Sequence, residues 1–327
     1  MIYKLFTIAK NTLIETLRQP VYAIIIVAAL FLFFLSPSLT MYTMSEDNKL
    51  LRELGLSTLF LASLFIAIFS ASGAVAEEIE NKTITTVLSK PVQRPIFIIA
   101  KFLGVSAAVI LAHYICTIAL LMTIRHGVLE SASDTRDWTV LGTAGIVVAA
   151  VFLLSTFFNY VYDWRFSSTA VVLTGIFATF GIVFLSFIDR NWQFNPADNR
   201  LDTVDIYGSV LLLLAAIIIV ALAVALSARF NIVVTLSACI GIFLLGLVSD
   251  YTFARLAEKQ FLGAKLLATI GRFLVPNLQI FWISDAIYED GSVIPAKYII
   301  ITASYALCYT TAVLALAIAL FQRRQVG

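Results

Sequence analysis

Residues able to do chemistry are few in this chain, and most of them sit in one island of charge. Glu77, Glu78 and Glu80 open it, and Lys82, Lys90, Arg94 and Lys101 follow, alternating with β-branched residues. The island lies between two long apolar runs. A stretch this polar has no place in hydrocarbon, so 77–101 is expected to be a loop facing water or a partner. Thr83 is placed to cap a short helix there, and Pro91 and Pro95 to stop it. On charge pattern alone, the same island would also serve as a solvated loop of any multispanning protein.

The second chemical candidate is His113, in the middle of an apolar run. An ionisable group at that depth is a functional candidate by default. It can equally be a neutral tie, hydrogen-bonded between helices, and both readings stand. His126 falls at the end of the run and reads as solvated. The other chemistry is missing. No Gly-x-x-x-x-Gly-Lys-[Ser/Thr] loop is present to cradle a nucleotide phosphate, and no His-Glu-x-x-His or paired-cysteine pattern to hold a metal. Cys116, Cys239 and Cys308 lie inside apolar runs and read as small packing residues. No catalytic residue, cofactor or metal is therefore expected in this chain. A net charge of +2, without a basic cluster interleaved with aromatics, gives no support for nucleic acid as a partner.

The elements that must carry these residues are apolar throughout. Of 327 residues, 61% are hydrophobic and 13% charged, where a soluble domain would carry roughly 25% charged residues. The class is all-α: a polytopic integral membrane protein forming one transmembrane domain over 1–327. About eight stretches are long enough to span a bilayer. They fall near Val21–Leu39, Ser57–Ala76, Phe102–Thr123, Val140–Val161, Thr169–Ile188, Tyr207–Leu226, Ile232–Ser249 and Tyr298–Phe321. Trp138, Trp164 and Trp192 fall at their ends, as interfacial aromatics do. Within the apolar cores there is essentially no Asp, Glu, Lys or Arg, which counts against a proton-coupled carrier and most intramembrane hydrolases.

Residues 1–20 form an amphipathic helix, with Ile2, Leu5, Phe6, Ala9, Leu13 and Leu17 on one face, suited to the membrane surface. Residues 250–297 are too long and apolar for a plain loop. Leu262, Leu266, Ile270 and Phe273 make a helical stripe there, Pro276-Asn277 breaks it, and 278–287 carries a second piece. Ser155–Asn159 and Ser227–Asn231 are weakly alike, as a duplicated hairpin or chance would make them. An even span count puts both termini on one side. Basic residues divide evenly between the two sides. Five of the outer ones (Arg255, Lys259, Lys265, Arg272 and Lys297) sit in the long segment, so the short loops favour termini in the cytoplasm.

The charged island resembles the coupling loop of permease subunits of type-2 ATP-binding cassette exporters. Leu88-Ser89-Lys90-Pro91-Val92-Gln93-Arg94 is similar to that family's Leu-Ser-x-Pro-Val-x-Arg element, and Lys101 stands where a Gly-Lys opens the third span. Ala100 replaces the glycine, and Pro95 is an additional breaker. Pro276-Asn277, Phe281 and Asp285-Ala286 resemble the outer re-entrant element before the last span, and Phe321-Gln322-Arg323-Arg324 the usual ending. The common architecture has six spans, two fewer than here. The resemblance implies two permeases, identical or sister chains, in a bacterial cytoplasmic membrane. It also implies two separate ATPase subunits that bind ATP and Mg. Their contact would be Glu77, Glu78, Glu80, Lys82, Thr83, Ile84, Val87, Leu88, Pro91 and Arg94. A non-transporting membrane scaffold, or an integral-membrane enzyme, is the alternative that a missing ATPase partner would favour.

Overall fold

Local capping chemistry sets several helix boundaries. In the computed structural model, which describes residues 2–40, 47–77, 93–128, 136–196, 202–258, 261–283 and 294–322, the chain is helical almost throughout. In order the helices are α1 (Ile2–Arg18), α2 (Pro20–Thr40), α3 (Asp47–Ser72, continued by a π turn, Gly73–Glu77) and α4 (Arg94–His126). Next come α5 (Trp138–Tyr162), α6 (Phe166–Phe187), α7 (Thr203–Ser227) and α8 (Ile232–Leu247). The last three are α9 (Ser249–Glu258), α10 (Leu262–Leu274) and α11 (Ala296–Gln322). Asp137, Asp202 and Asn231 cap α5, α7 and α8 by accepting from backbone N–H groups of the first turn. Gly127, at φ 69°, ends α4 in a left-handed conformation that glycine adopts without strain.

Among the described residues seven helices are long and apolar enough to cross a membrane: α2 to α7 and α11. The expected seventh span falls on a bent helix pair. Residues of α8 cover only about 24 Å at 1.5 Å each, and α9 leaves its axis by 67°. The main core joins α2, α3, α4, α7, α8 and α11, with α7 buried almost continuously from Ala215 to Ala225. The α5–α6 hairpin packs on α4 through a second, smaller core (Ile118 and Met122 of α4 with Val140, Ala178 and Leu185), and Val171 of α6 joins the main core.

Polar side chains repair the backbone where the apolar run breaks it. Pro37 has no N–H to give to the Phe33 carbonyl in α2. The hydroxyl of Ser36 donates to that carbonyl instead (2.9 Å), and the hydroxyl of Thr123 on α4, whose one proton is also within reach of the Ala119 carbonyl at 2.9 Å, lies 3.4 Å from it. Buried Tyr22 of α2 donates to the Ala108 carbonyl of α4 at 2.8 Å.

Several expectations shift. The second span begins at Asp47, well before Ser57. The loop expected to run to Lys101 ends at Gln93, because Pro95 lies in the first turn of α4, where its missing N–H costs nothing. Pro95 starts α4, and the short helix it is expected to stop lies outside the described residues. On α1 the side that packs on α4 carries Thr12, Thr16 and Leu17, while Ile2 and Phe6 face outward. A Cβ at Gly104 would lie 2.6 Å from the Ala9 carbonyl, so the two backbones approach where small residues permit it.

The stripe on α10 is likewise turned out: Leu266, Ile270 and Phe273 are exposed, Ala268 is buried, and Gly271 packs on Phe253 of α9. The chain then turns back into the protein at Pro276. Asn277 N–H donates to the Tyr305 hydroxyl (2.9 Å), and Leu278 N–H to the Gly246 carbonyl (3.1 Å). Of the second piece expected at 278–287, a single 3-10 turn, Gln279–Phe281, is described. The Ser155 and Ser227 segments are not equivalent. Asn159 lies inside α5, its amide donating to the Trp164 carbonyl, whereas Asn231 caps α8.

Candidate coupling face and intramembrane polar knot

The two chain ends that flank 78–92 are both anchored in the bundle. Upstream, the π turn Gly73–Glu77 touches α1, α4, α7 and α8, and its Ala74 and Val75 are buried. A Cβ at Gly73 would lie 2.6 Å from the Gln19 amide at the α1–α2 corner. A π turn widens the helix and spoils its hydrogen-bond register, a device frequent beside functional sites.

Downstream, three contacts hold the start of α4. The Arg94 guanidinium donates to the Gln322 carbonyl at 2.8 Å, placing a cation at the carboxyl end of α11, where the helix dipole favours one. Phe97 and Phe321, both fully buried, stack with ring centroids 5.7 Å apart. Lys101 is buried two turns into the helix. Its ammonium reaches Glu15 of α1 at 3.9 Å and lies 5.8 Å from the Phe97 ring centre. A displacement of either end of 78–92 must therefore move α3 or α4, the two helices at the centre of the core.

Of the expected contact residues, Glu77 closes the π turn and Arg94 opens α4. Glu78, Glu80, Lys82, Thr83, Ile84, Val87, Leu88 and Pro91 lie outside the described residues.

His113 belongs to a polar knot that ties α3, α4 and α7. Its Nε2 lies 2.9 Å from the Ser209 carbonyl and 3.1 Å from the Ser209 hydroxyl, and its Nδ1 lies 2.7 Å from the Ser63 hydroxyl. A carbonyl only accepts, so Nε2 must carry a proton. In the neutral ring Nδ1 then accepts from Ser63, whose one proton is also within reach of the Leu59 carbonyl at 2.8 Å. Thr117 donates to the His113 carbonyl (2.8 Å) and lies 2.6 Å from the Ser209 hydroxyl, which donates to it. At 3% exposure His113 is enclosed by protein, and its bonds tie α3 and α7 to α4. Ser63, Thr117 and Ser209 are missed in the sequence, where each is one small polar residue in an apolar run. The spacing of His113 and Thr117 by four, which stacks them on one helix face, was the available signal.

At the other end of the bundle, helix termini exchange charges. Arg125, near the end of α4, donates to the Leu185 and Ile188 carbonyls that close α6. Arg190, just beyond α6, donates to the Arg125 and His126 carbonyls that close α4 (3.2 and 3.3 Å). Both guanidinium groups flank the carboxylate of Asp137 at the amino end of α5, at 3.7 and 3.5 Å. Two cations sit at carboxyl ends and an anion at an amino end, each complementing its helix dipole. Nearby, Arg52 of α3 bridges Asp202 and buried Asp205 at the start of α7, at 3.1 and 3.3 Å. These groups lie beyond the apolar cores, at the helix ends.

Comparison with known families decides what kind of bundle this is. The sequence model described as ABC-2 family transporter protein matches residues 22–234. The chain belongs to that family. The matched stretch runs from the first turn of α2 into α8, so it contains the π turn, the 78–92 segment, His113 and the α5–α6 hairpin. This ABC-2 protein is a multi-pass membrane protein and the permease component of an ABC transporter. No curated protein matches it.

Proposed function

We propose that this permease couples ATP hydrolysis, carried out by two separate ATPase subunits, to export of a substrate across a bacterial cytoplasmic membrane. It would do so paired with a second permease, its termini in the cytoplasm. ATP and Mg would bind the partner chains, and this chain would supply no catalytic group. The observation that supports the reading is the double anchoring of 78–92. The segment departs from a π turn packed against α1, α4, α7 and α8 and arrives at a helix start held by Arg94, Phe97 and Lys101. An ATPase that grips Ile84, Val87 and Leu88 and is oriented by Glu78, Glu80 and Lys82 would pull on both central helices together. Apolar anchors supply affinity in such a contact, and charges supply registration.

The test is co-purification of the permease with its ATPase, and substrate-dependent ATPase activity in lipid. Leu88→Ala removes a candidate anchor and should weaken association about tenfold, the equivalent of about 1.4 kcal/mol. Unchanged association and unchanged ATPase stimulation would sink the coupling assignment.

A further inference from the structure

Helices α3 and α4 form a hairpin that is tied at both ends. The chain joins them through 78–92 at one end. At the other, Val128 N–H donates to the Asn48 side chain (3.3 Å), and Gly55 packs directly on Leu120. Polar bonds join this hairpin to α7 in two places. One is the knot, where His113 reaches Ser209. The other is Arg52, which bridges Asp202 and Asp205 at the amino end of α7. We propose that Arg52 and these two carboxylates form a latch, holding the α3–α4 hairpin shut on α7 at the end of the bundle opposite 78–92.

Side-chain length gives the two places different roles. The knot is closed by short side chains, Ser63, Thr117 and Ser209, over distances of 2.6 to 2.9 Å, and leaves no slack. It serves as the pivot. The latch is one long guanidinium, 27% exposed, with water beside it to receive it on release. Asp202 keeps its second oxygen on the Val204 N–H, so losing Arg52 does not uncap α7. Both carboxylates lie where the helix dipole supports an anion with or without a cation partner. Among the described residues the buried Asp205 Oδ1 has no hydrogen-bond partner, so water entering a parted seam gains a bond there. Below the latch the seam is apolar, with Leu56 against Gly208, and offers no directional bond to break.

The arms of the hairpin set the movement needed. Along α3, Arg52 lies about 16 Å from Ser63, and Glu77 at the end of the π turn about 20 Å on the other side. A tilt about the knot that shifts Glu77 by about 2 Å shifts Arg52 by about 1.5 Å. Contacts of 3.1 and 3.3 Å then pass the ~4 Å reach of an ion pair. That the tilt is driven through 78–92 rests on the coupling function proposed above; the latch itself does not.

The experiment uses the full chain in lipid nanodiscs, with exposed Cys308 replaced by Ala and a probe thiol placed by Gly208→Cys. A Cβ at Gly208 meets Ile283 and Leu56 at 3.5 to 3.7 Å, so the thiol fits the closed seam. The readout is its rate of reaction with a water-soluble maleimide. Arg52→Gln should raise that rate at least tenfold, and Asp205→Asn several-fold. Arg52→Lys, which keeps the charge, should stay within about threefold of the parent. A Thr12→Cys probe on the α1–α4 contact, used in place of Gly208→Cys, should show no change in any of them. Equal rates in Arg52→Gln and the parent would overturn the latch. So would matching acceleration at Thr12→Cys, which marks a general loosening, or an Arg52→Lys chain as fast as Arg52→Gln. With the co-purified ATPase present, a non-hydrolysable ATP analogue should speed labelling of the parent. No response to nucleotide while Arg52→Gln still opens the seam would overturn the drive through 78–92 and keep the latch.

Discussion

Replacing Asp137 should loosen the α5–α6 hairpin from the rest of the bundle, and two variants separate its two roles. One carboxylate oxygen caps α5, accepting from Thr139 N–H at 3.1 Å and Val140 N–H at 3.2 Å. The other faces Arg125 and Arg190. Asn keeps the cap and loses the charge; Ala loses both. The cap is worth about 1 kcal/mol. A charge pair near 4 Å is worth about 4 kcal/mol gross at an effective dielectric of about 20. Arg125 is only 14% exposed, so most of that loss falls on it. Arg190, more than half exposed, adds under about 1 kcal/mol because water screens it. Arg125 keeps its bonds to the Leu185 and Ile188 carbonyls, which offsets part of the cost.

Asp137→Asn should therefore destabilise by about 3 kcal/mol and Asp137→Ala by about 4. The measurement is thermal or denaturant unfolding in a fixed detergent, with hydrogen exchange at Val140 to Thr143 reporting the local cap. Asp137→Asn combined with Arg125→Met removes both charges and should cost at least about 1 kcal/mol less than the two single changes summed. An Asn variant as stable as wild type, or a strictly additive double variant, would refute the electrostatic tie.

Phe321→Ala empties a buried ring site beside Phe97, should cost about 3 kcal/mol, and should leave ATPase activity of the assembled complex running while export in proteoliposomes falls; parallel loss of both would deny the contact a coupling role. His113→Gln keeps one bond to Ser209 and should cost about 1 kcal/mol, with transport per folded molecule staying within about twofold. Abolished transport at an unchanged melting temperature would instead make His113 a working site. Gly104→Ala drives a Cβ against the Ala9 carbonyl, should cost about 2 kcal/mol, and should expose a Thr12→Cys probe to a water-soluble maleimide, which unchanged labelling would contradict. A reporter fused after Gly327 should work only in the cytoplasm, and one inserted near Asp134 only outside; the reverse pattern would put 78–92 on the wrong side for an ATPase.

The sequence by itself determined that this is a helical membrane protein. A run of some twenty apolar residues has no other stable state in hydrocarbon than a helix that satisfies its own backbone. The charged island was legible for the same reason, since charge cannot stay in that phase, and its motif pointed to the ABC-2 permeases before any geometry was known. Caps at Asp137, Asp202 and Asn231 are local chemistry too, yet they are recognised only in the structure.

Only the tertiary structure decided which faces meet. On α1 and α10 the apolar stripe marks an amphipathic helix, and the structure adds which residues face the protein, because in lipid the larger apolar residues gain nothing by turning inward. Close approach then favours Thr12, Thr16, Gly104, Ala268 and Gly271. Pro95 reads as a breaker along the chain and as a start once the helix after it is seen. The bend after α8, the packing of α5–α6 on α4 and the polar knot at His113 depend on partners far apart in sequence. Ser63, His113 and Ser209 become one site only where three helices cross, and no spacing along a single chain segment encodes that crossing.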